Sequence, residues 1–468
     1  MTNTIKVYTR EATEDYTSSL ANSVHISLCS NGNDMPLNRN YGILFATGAI
    51  DGEDRIVEKG LSRPRVFRLQ AKGSGEAVFG ISAERVMQDG SNDESADGKR
   101  LLWTTSDFIH FSKEELLSCD DSSGDEVQID DNLASIIKQH YFIQLNTTVD
   151  TSPAKLYRFP LAEGWADPVI FPWEGKYYFL ATNDNTNDVG LYVREAASVD
   201  GLFEPETEVH LILDYNEEKG FMQTFWAPEF HVIGGELYIL FAVSGKKWEP
   251  QSHMMRLRKG GDISNPLDWE QPKRVEKADG SFLAEGDITL DMTYFSACAK
   301  HYLVWSYRKH IGTPLDSGSM LYIASTSAER PWRLTGAPVL LSRPLFGWEN
   351  IQGTINNEGP YVLKKDGKIY LYYSGGAAGG YTYAIGLLSI KEDGDILNPS
   401  AWEKSPCPLM SYYSLEGQYG PGHNSFFKDA EGRTFNVYHA QTSIGRSPRC
   451  TAIRQVLFRS DGTPVLDW

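Results

Sequence analysis

Three carboxylates stand beside strand-rich segments of similar design. Asp167 lies in Gly-Trp-Ala-Asp-Pro, Asp291 in Ile-Thr-Leu-Asp-Met-Thr and Glu358 in Asn-Asn-Glu-Gly-Pro. Hydrolysis of a glycosidic bond needs two carboxyl groups at different pKa values, because one donates a proton while the other acts as a base or nucleophile. If the three segments repeat around an axis, their acids converge on one centre.

A turn-and-strand signature recurs from about residue 160 onward. Its five copies begin at residues 175, 235, 300, 367 and 432, so that the gaps are 60, 65, 67 and 65 residues. One copy reads Gly-Lys-Ile-Tyr-Leu-Tyr-Tyr-Ser, and the others combine a turn with aromatic and β-branched residues in the same way. Even spacing is typical of a closed or stacked repeat. Four strands fit into about 65 residues, so five units predict a five-bladed β-propeller. A β-sandwich followed by another β-domain is the alternative, but it does not predict evenly spaced copies.

Residues 1–150 lie outside this repeat. Alternating segments at 41–46, 77–82 and 101–106 predict strands. Polar stretches at 89–98 and 119–131 predict exposed loops.

The chain is therefore predicted to be all-β. A smaller β-rich module occupies residues 1–150, a linker lies near 145–160, and the propeller occupies 160–468. The strands of the first segment could alternatively add to the propeller.

The three acids hold similar positions relative to the signature. Asp167 stands eight residues before the start of its copy, and Asp291 and Glu358 each stand nine before theirs. Taken singly, each acid is better explained as a turn or strand-edge carboxylate. The innermost strands of a propeller line its axis, so the joint pattern favours three acids that face one funnel.

The same position falls on other residue types in the second and fifth copies. Trp226 in the second copy would form a wall for a sugar ring. His423 in the fifth could bind a substrate hydroxyl or hold a hydrated cation. Arg449 follows in the fifth copy and could reach the funnel.

Five motifs in order carry a family resemblance. Ala-Asp-Pro, Trp-Ala-Pro-Glu, Leu-Asp-x-Thr, Glu-Gly-Pro and Gly-His-Asn-Ser occur between about 165 and 468. They resemble glycoside hydrolase family 43, whose members are five-bladed propellers that hydrolyse α-L-arabinofuranosyl or β-D-xylosyl linkages with inversion. By position, the resemblance implies that Asp167 is the general base and Glu358 the general acid. It implies that Asp291 positions Glu358 and tunes its pKa.

The resemblance also implies contacts and a metal. Trp226 and Arg449 match places that contact substrate, and His423 matches a histidine near a water-coordinated calcium. That ion would be structural and lie on the propeller axis, and the chemistry itself would need no cofactor.

The favoured function is an inverting exo-acting hydrolase that releases terminal α-L-arabinofuranose from arabinan or arabinoxylan oligosaccharides. A β-D-xylosidase, or an enzyme with both activities, is the runner-up. A retaining fructan-acting enzyme is disfavoured because its Asn-Asp-Pro-Asn motif is absent, Ala166 preceding Asp167. A non-catalytic carbohydrate-binding propeller also remains open, although it would not need three acids.

The composition of the chain indicates which kinds of partner and which cellular location to expect. The formal net charge of −18 disfavours a nucleic acid or an anionic membrane as partner and is compatible with a neutral oligosaccharide. The five cysteines show no Cys-x-x-Cys spacing: Cys29, Cys119, Cys298, Cys407 and Cys450. The first ten residues contain no apolar segment of the kind that signal peptides have. Together these features predict a cytoplasmic protein.

Overall fold

The computed structural model describes residues 3–69, 77–96, 98–117, 124–142, 154–351, 354–459 and 462–468. The chain forms two compact units. The amino-terminal unit comprises Met1–Val149, Leu345–Gly353 and Trp468, and the repeat unit comprises Asp150–Pro344 and Thr354–Asp467. Most regular elements in both are strands in four-stranded sheets, so the predicted all-β class is confirmed at this level.

The described strands of the amino-terminal unit are β1 (Asn3–Tyr8), β2 (His25–Ser30), β3 (Asn33–Pro36), β4 (Ala49–Ile50), β5 (Ile56–Val57), β6 (Lys59–Leu69), β7 (Val78–Met87), β8 (Arg100–Thr105), β9 (Glu115–Leu117) and β10 (Glu126–Ile129). They form two four-stranded antiparallel sheets, ordered β10-β1-β2-β3 and β6-β7-β8-β9, and a two-stranded pair β4-β5. Two helices, α1 (Ser18–Ala21) and α2 (Asp131–Tyr141), accompany them. Alternating apolar residues of both large sheets, such as Ile5, Leu28 and Ile81, share one core.

The loop predicted over 119–131 is wrong for its second half. Cys119 itself lies outside the described residues, but Glu126–Ile129 form β10, which pairs with β1. Asp130 then begins α2, because its side chain accepts a hydrogen bond from the Leu133 N–H at 2.8 Å. The polar composition predicted a loop here, but one of its acidic residues is the N-cap of a helix.

Leu345–Gly353 belongs to the amino-terminal unit although it lies between two repeats. The Gln88 side chain donates to the Asn350 carbonyl at 2.8 Å, and the Gly48 N–H donates to the Leu345 carbonyl at 2.7 Å. Trp348 is fully buried. The sequence spacing contained no indication of this insertion.

The described residues of the repeat unit form five four-stranded antiparallel sheets. Their strands in chain order are β11 (Ala162–Glu163), β12 (Trp165–Trp173), β13 (Lys176–Asn183), β14 (Leu191–Ala196), β15 (His210–Leu213), β16 (Gln223–Ile233), β17 (Glu236–Ser244), β18 (Gln251–Arg256), β19 (Lys273–Arg274), β20 (Ile288–Ala297), β21 (Lys300–Arg308), β22 (Met320–Thr326), β23 (Val339–Ser342), β26 (Asn357–Lys365), β27 (Lys368–Gly375), β28 (Ala384–Lys391), β29 (Glu403–Lys404), β30 (Tyr419–Lys428), β31 (Thr434–Gln441) and β32 (Cys450–Gln455). Short strands β25 (Thr354–Ile355), β33 (Leu457–Phe458) and β34 (Pro464–Val465) complete the set, and β24 (Asn350–Ile351) lies in the segment that belongs to the amino-terminal unit.

The sheets follow the repeat. Four are ordered β12-β13-β14-β15, β16-β17-β18-β19, β20-β21-β22-β23 and β26-β27-β28-β29, and the fifth is β11-β32-β31-β30. Every signature copy forms the second strand of its sheet, namely β13, β17, β21, β27 or β31. The first strands contact one another in succession, β12 with β16, β16 with β20, β20 with β26, β26 with β30, and β30 with β12.

All five first strands contain a bulge at one position. The residue there has a left-handed backbone: Asp167 (φ 52°), Ala227 (46°), Asp291 (54°), Gly359 (57°) and His423 (45°). The preceding residue pairs with the end of the second strand: Ala166 with Thr182, Trp226 with Ala242, Leu290 with Ser306, Glu358 with Ser374 and Gly422 with His439. A left-handed residue other than glycine costs about 1–2 kcal/mol, and such strain clusters at functional sites.

These bulges correct the predicted equivalence of the three acids. Asp167, Asp291 and His423 occupy the bulge position itself, whereas Glu358 and Trp226 stand one residue before it. Counting from the signature missed this offset, because the third copy was counted from Lys300, the first residue of its strand, whereas the copies of Asp167 and Glu358 were counted from the turn glycine before the strand.

Among the described residues, no helix combines the length and apolar character that crossing a membrane requires.

Candidate active site

Asp167 is surrounded by basic groups. Its Oδ1 lies 3.2 Å from Nδ1 of His423, 3.2 Å from Nδ1 of His439 and 3.3 Å from a terminal nitrogen of Arg449. Its Oδ2 accepts a hydrogen bond from the Thr182 hydroxyl at 2.6 Å. Burial alone would raise the pKa of Asp167, but the charges of His423 and Arg449 outweigh it and hold the pKa well below its usual range. The carboxyl group is therefore ionised.

His439 is neutral, and its tautomer follows from its partners. Its Nε2 lies 3.1 Å from the Ala378 carbonyl, which only accepts, so that Nε2 carries the proton. Nδ1 then accepts from the backbone N–H of Asp167 at 3.2 Å. Burial lowers the pKa of His439 in agreement with this assignment. The imidazole thus fixes the bulge backbone that carries Asp167.

His423 lies among the carboxylates. Its backbone N–H donates to the Ser374 hydroxyl at 2.7 Å. Burial lowers the pKa of His423, but the carboxylates of Asp167, Asp291 and Glu358 outweigh burial and raise it. The imidazolium form supplies the positive charge that partly compensates three buried acids.

Glu358 and Asp291 form a second pair of acidic residues, and their hydrogen-bond donors are neutral groups. Glu358 Oε1 accepts from the Tyr383 hydroxyl at 3.0 Å. Asp291 Oδ2 accepts from the Gly359 N–H at 3.1 Å and from the Ser306 hydroxyl at 3.4 Å. Burial, and next the charge of Asp291, raise the pKa of Glu358 to about 8. Burial also raises the pKa of Asp291, to about 6. The structure thus brings the three predicted acids and His423 into one electrostatic cluster.

Arg449 and Trp226 are held by two aspartates that the sequence analysis overlooked. Asp184 receives two hydrogen bonds from Arg449, at 3.0 Å from Nε and 2.5 Å from a terminal nitrogen. Asp188 accepts from the Trp226 indole N–H at 2.8 Å. The Arg449 side chain is thereby fixed beside Asp167, and the half-buried Trp226 ring is fixed beyond it.

Other polar groups around the acids come from the second strands. The last residue of four signature copies is polar, and each of these residues forms a hydrogen bond with an acid or with the bulge backbone: Thr182, Ser306, Ser374 and His439. A polar residue that closes an otherwise apolar strand was the indication available in the sequence. Glu229 of Trp-Ala-Pro-Glu was also missed. It is buried, 2.6 Å from His231 Nε2. Nothing in the spacing pointed to Tyr383.

The histidine predicted to lie near calcium is a poor direct ligand. No group of three or more His, Cys, Asp or Glu side chains in the described part of the chain could hold a metal ion. The raised pKa of His423 favours the imidazolium, which has no free lone pair for a cation. No catalytic step is therefore assigned to calcium, and a water-mediated ion stays a prediction.

Residues 157–464 match the model of the family described as Glycosyl hydrolases family 43. The chain belongs to this family. The predicted resemblance is thereby confirmed, and the match includes every predicted site residue.

Curated relatives are named arabinofuranosidases. The chain is 34% identical over 332 residues to an extracellular exo-α-(1→5)-L-arabinofuranosidase of Streptomyces avermitilis. The aligned region covers 68% of this chain and 65% of the relative. The chain is also 33% identical over 293 residues to a Streptomyces chartreusis protein of the same name, over 61% of this chain and 82% of the relative. The chain thus spans slightly less than two thirds of the first relative's length.

A solved structure gives the same indication. The crystal structure of an α-L-arabinofuranosidase from Lactobacillus brevis superposes with a TM-score of 0.58 at 31% identity, over 66% of this chain and 95% of that one.

The predicted cytoplasmic location is wrong, because both Streptomyces relatives are named extracellular. The prediction relied on dispersed cysteines, and Cys29, Cys298, Cys407 and Cys450 are indeed free. Free cysteines do not exclude secretion, since a large core can stabilise a domain without disulfides.

Proposed function

We propose that the protein is an inverting exo-acting α-L-arabinofuranosidase that removes terminal α-L-arabinofuranose from arabinan or arabinoxylan oligosaccharides. The observation that carries this proposal is the opposite ionisation of two buried carboxyl groups in one cluster. The pKa of Asp167 is lowered and that of Glu358 is raised to about 8. A base and an acid are thus available together near neutral pH.

The proposed architecture is a five-bladed β-propeller over 160–468, preceded by a β-rich module over 1–150. The cyclic succession of contacts between first strands supports it, as does the pairing of β11 with β32 in the fifth sheet. Radial repetition of this kind protects sheet edges and places the first strands around the axis. The bulges would then lie around one funnel.

In the proposed mechanism, Glu358 donates its proton to the leaving oxygen. Asp167 accepts a proton from the water that attacks the opposite face of the sugar. An inverting pair needs about 6.5–9.5 Å between the carboxyl groups to admit this water. The low pKa of Asp167 makes it a weak base, but water that attacks an oxocarbenium-like carbon becomes acidic and needs only a weak one. Asp291 keeps Glu358 protonated through its charge and receives the Gly359 N–H next to Glu358 in the chain.

The sugar specificity is proposed from the relatives. Three of them are named arabinofuranosidases, and the two from Streptomyces are named exo-acting and extracellular. Arg449 beside Asp167 and the Trp226 ring are proposed to contact the terminal sugar, the guanidinium through hydroxyl groups and the indole through an apolar face.

The first test is the hydrolysis of p-nitrophenyl α-L-arabinofuranoside and p-nitrophenyl β-D-xyloside by wild type, Asp167→Ala and the control Asp279→Ala. Asp279 is exposed in a turn of the repeat unit. We expect turnover of the arabinofuranoside by wild type and by the control, and loss in Asp167→Ala. The first anomer seen by proton NMR should be inverted. If the xyloside were cleaved in preference, the enzyme would be a β-D-xylosidase instead. Full activity in Asp167→Ala would show that Asp167 is not catalytic.

A further inference from the structure

Trp248 is an exposed tryptophan close to the candidate active site. Its exposure of 42% makes it the most exposed tryptophan in the described part of the chain. Its ring meets the Trp226 ring edge-on, with centroids 5.9 Å apart and planes at 69°. Indoles are usually largely buried, so an exposed one beside a site suggests a surface that a ligand covers.

The loop that carries Trp248 is held at both ends. The Gln223 side chain donates to the carbonyls of Gly245 and Lys246 at 2.8 and 3.3 Å. On the other side, the Glu249 carboxylate accepts from the Gly286 N–H at 2.5 Å. The exposed ring is therefore mounted on a fixed backbone, and little conformational freedom would be lost when a ligand stacks on it.

The ring also continues an apolar surface that begins at the acids. Trp226 packs against the buried cluster of Ala242, Ile288 and Leu290, and Leu290 directly precedes Asp291. Along this surface exposure increases outward, from the buried Leu290 through the half-buried Trp226 to the exposed Trp248. A ligand that reaches the acids would therefore extend outward past Trp248.

We propose that Trp248 is the stacking platform for the sugar on the leaving-group side of the scissile bond. This inference rests on the proposed exo action, which puts the terminal sugar innermost at the acids and the next sugar outward. A pyranose or furanose ring presents an apolar C–H face, and an indole face is the complementary surface. The platform favours oligosaccharides over glycosides with a small aglycone.

The test compares kcat/KM for α-1,5-arabinotriose with kcat/KM for methyl α-L-arabinofuranoside. The methyl glycoside is chosen because an aryl aglycone could itself stack on the indole. In Trp248→Ala the trisaccharide-to-methyl ratio should fall about tenfold, the effect of roughly 1.4 kcal/mol of stacking. Trp248→Phe should restore most of the ratio. Leu267→Ala, at a leucine 80% exposed in a short turn of the second sheet, should leave it unchanged.

The outcomes separate this inference from the proposed function. An unchanged ratio in Trp248→Ala, with wild type active on both substrates, would overturn the platform and leave the arabinofuranosidase intact. An equal loss on both substrates would overturn it as well, because that is the result of local structural damage. If wild type cleaved neither substrate, the proposed function would fail and the platform with it.

Discussion

Asp167 and Glu358 are buried almost equally, at 6% and 8% exposure, yet their pKa values shift in opposite directions. Burial raises the pKa of both. Asp167 also meets two cationic side chains, those of His423 and Arg449, whereas Glu358 receives one neutral hydroxyl, from Tyr383. The charges of the neighbouring side chains, rather than the depth of burial, therefore make one carboxyl group a base and the other an acid.

The largest expected effect separates the two roles through the leaving group. Glu358→Gln should lower kcat/KM on arabinotriose by about 10³-fold or more, because a sugar alkoxide needs protonation. The loss on 2,4-dinitrophenyl α-L-arabinofuranoside should be much smaller, since dinitrophenolate leaves unassisted. Asp167→Asn should lower kcat/KM by a similar factor on both substrates, because a base acts on the attacking water and not on the leaving group. Steady-state kinetics on the two substrates measure this.

Circular dichroism of both variants is the control for folding. A loss in Glu358→Gln that is independent of the leaving group would exclude Glu358 as the acid.

The second prediction concerns the positive charge beside Asp167. Arg449→Met removes a group that lowers the pKa of Asp167, so that pKa should rise. The acidic limb of the kcat/KM profile should therefore move to higher pH by about one unit. Arg433→Met is the matched control, because Arg433 pairs instead with Asp429 at 2.6 Å. An acidic limb identical in all three proteins would mean that Asp167 does not control it.

The third prediction weakens the only hydrogen bond found for the Glu358 carboxyl in the described structure. The Tyr383 hydroxyl favours the ionised form of Glu358 and lowers its pKa. Tyr383→Phe should therefore raise that pKa and move the alkaline limb upward by about half a unit. Tyr372→Phe is the control, since the buried Tyr372 hydroxyl has no hydrogen-bond partner in the described structure. A shift to lower pH would contradict the assignment of Glu358 as the acid.

The smallest effect is on stability. The folded-state pKa of Glu358 is about 8, above the value of about 4.3 expected when unfolded, so the folded state holds the proton more tightly. The free energy of unfolding should then fall as pH rises from about 4.5 to about 8. Glu358→Gln removes this dependence, and its Tm should exceed that of wild type by a few degrees at pH 8.

Thermal unfolding at pH 5 and pH 8 measures this difference. The exposed Glu206→Gln serves as the control. A Tm difference that does not grow with pH would show that Glu358 is ionised in the folded protein.

Local patterns in the sequence predicted the acids, their strands and the presence of His423 and Arg449 near them, but neither His439 nor the contacts through which these groups act on Asp167. Asp167 and Glu358 could be found because their motifs and spacing recur in the chain. His439 and Arg449 reach Asp167 across 272 and 282 residues, and no local pattern encodes such a contact. The one-residue offset of Glu358 was hidden too, because the turn of the third copy has Cys298 and Ala299 and no glycine that would mark the same starting point as in the other copies.

The insertion of 345–353 into the amino-terminal unit shows the same limit at the level of domains. Its polar and aromatic residues resemble an ordinary connection between strands. Its role follows from the buried Trp348 ring and from the hydrogen bonds that the Leu345 and Asn350 carbonyls accept within the amino-terminal unit.

The fifth sheet has a consequence for the newly synthesised protein. β11, at the start of the repeat unit, pairs with β32, whose residues are made almost 290 positions later. His423 and Arg449 are likewise made late, so a nascent chain has Asp167 long before it has the charges that stabilise it. Burial of that carboxylate is unfavourable until residue 449 has left the ribosome. The order of translation therefore delays closure of the catalytic centre until nearly the whole polypeptide exists.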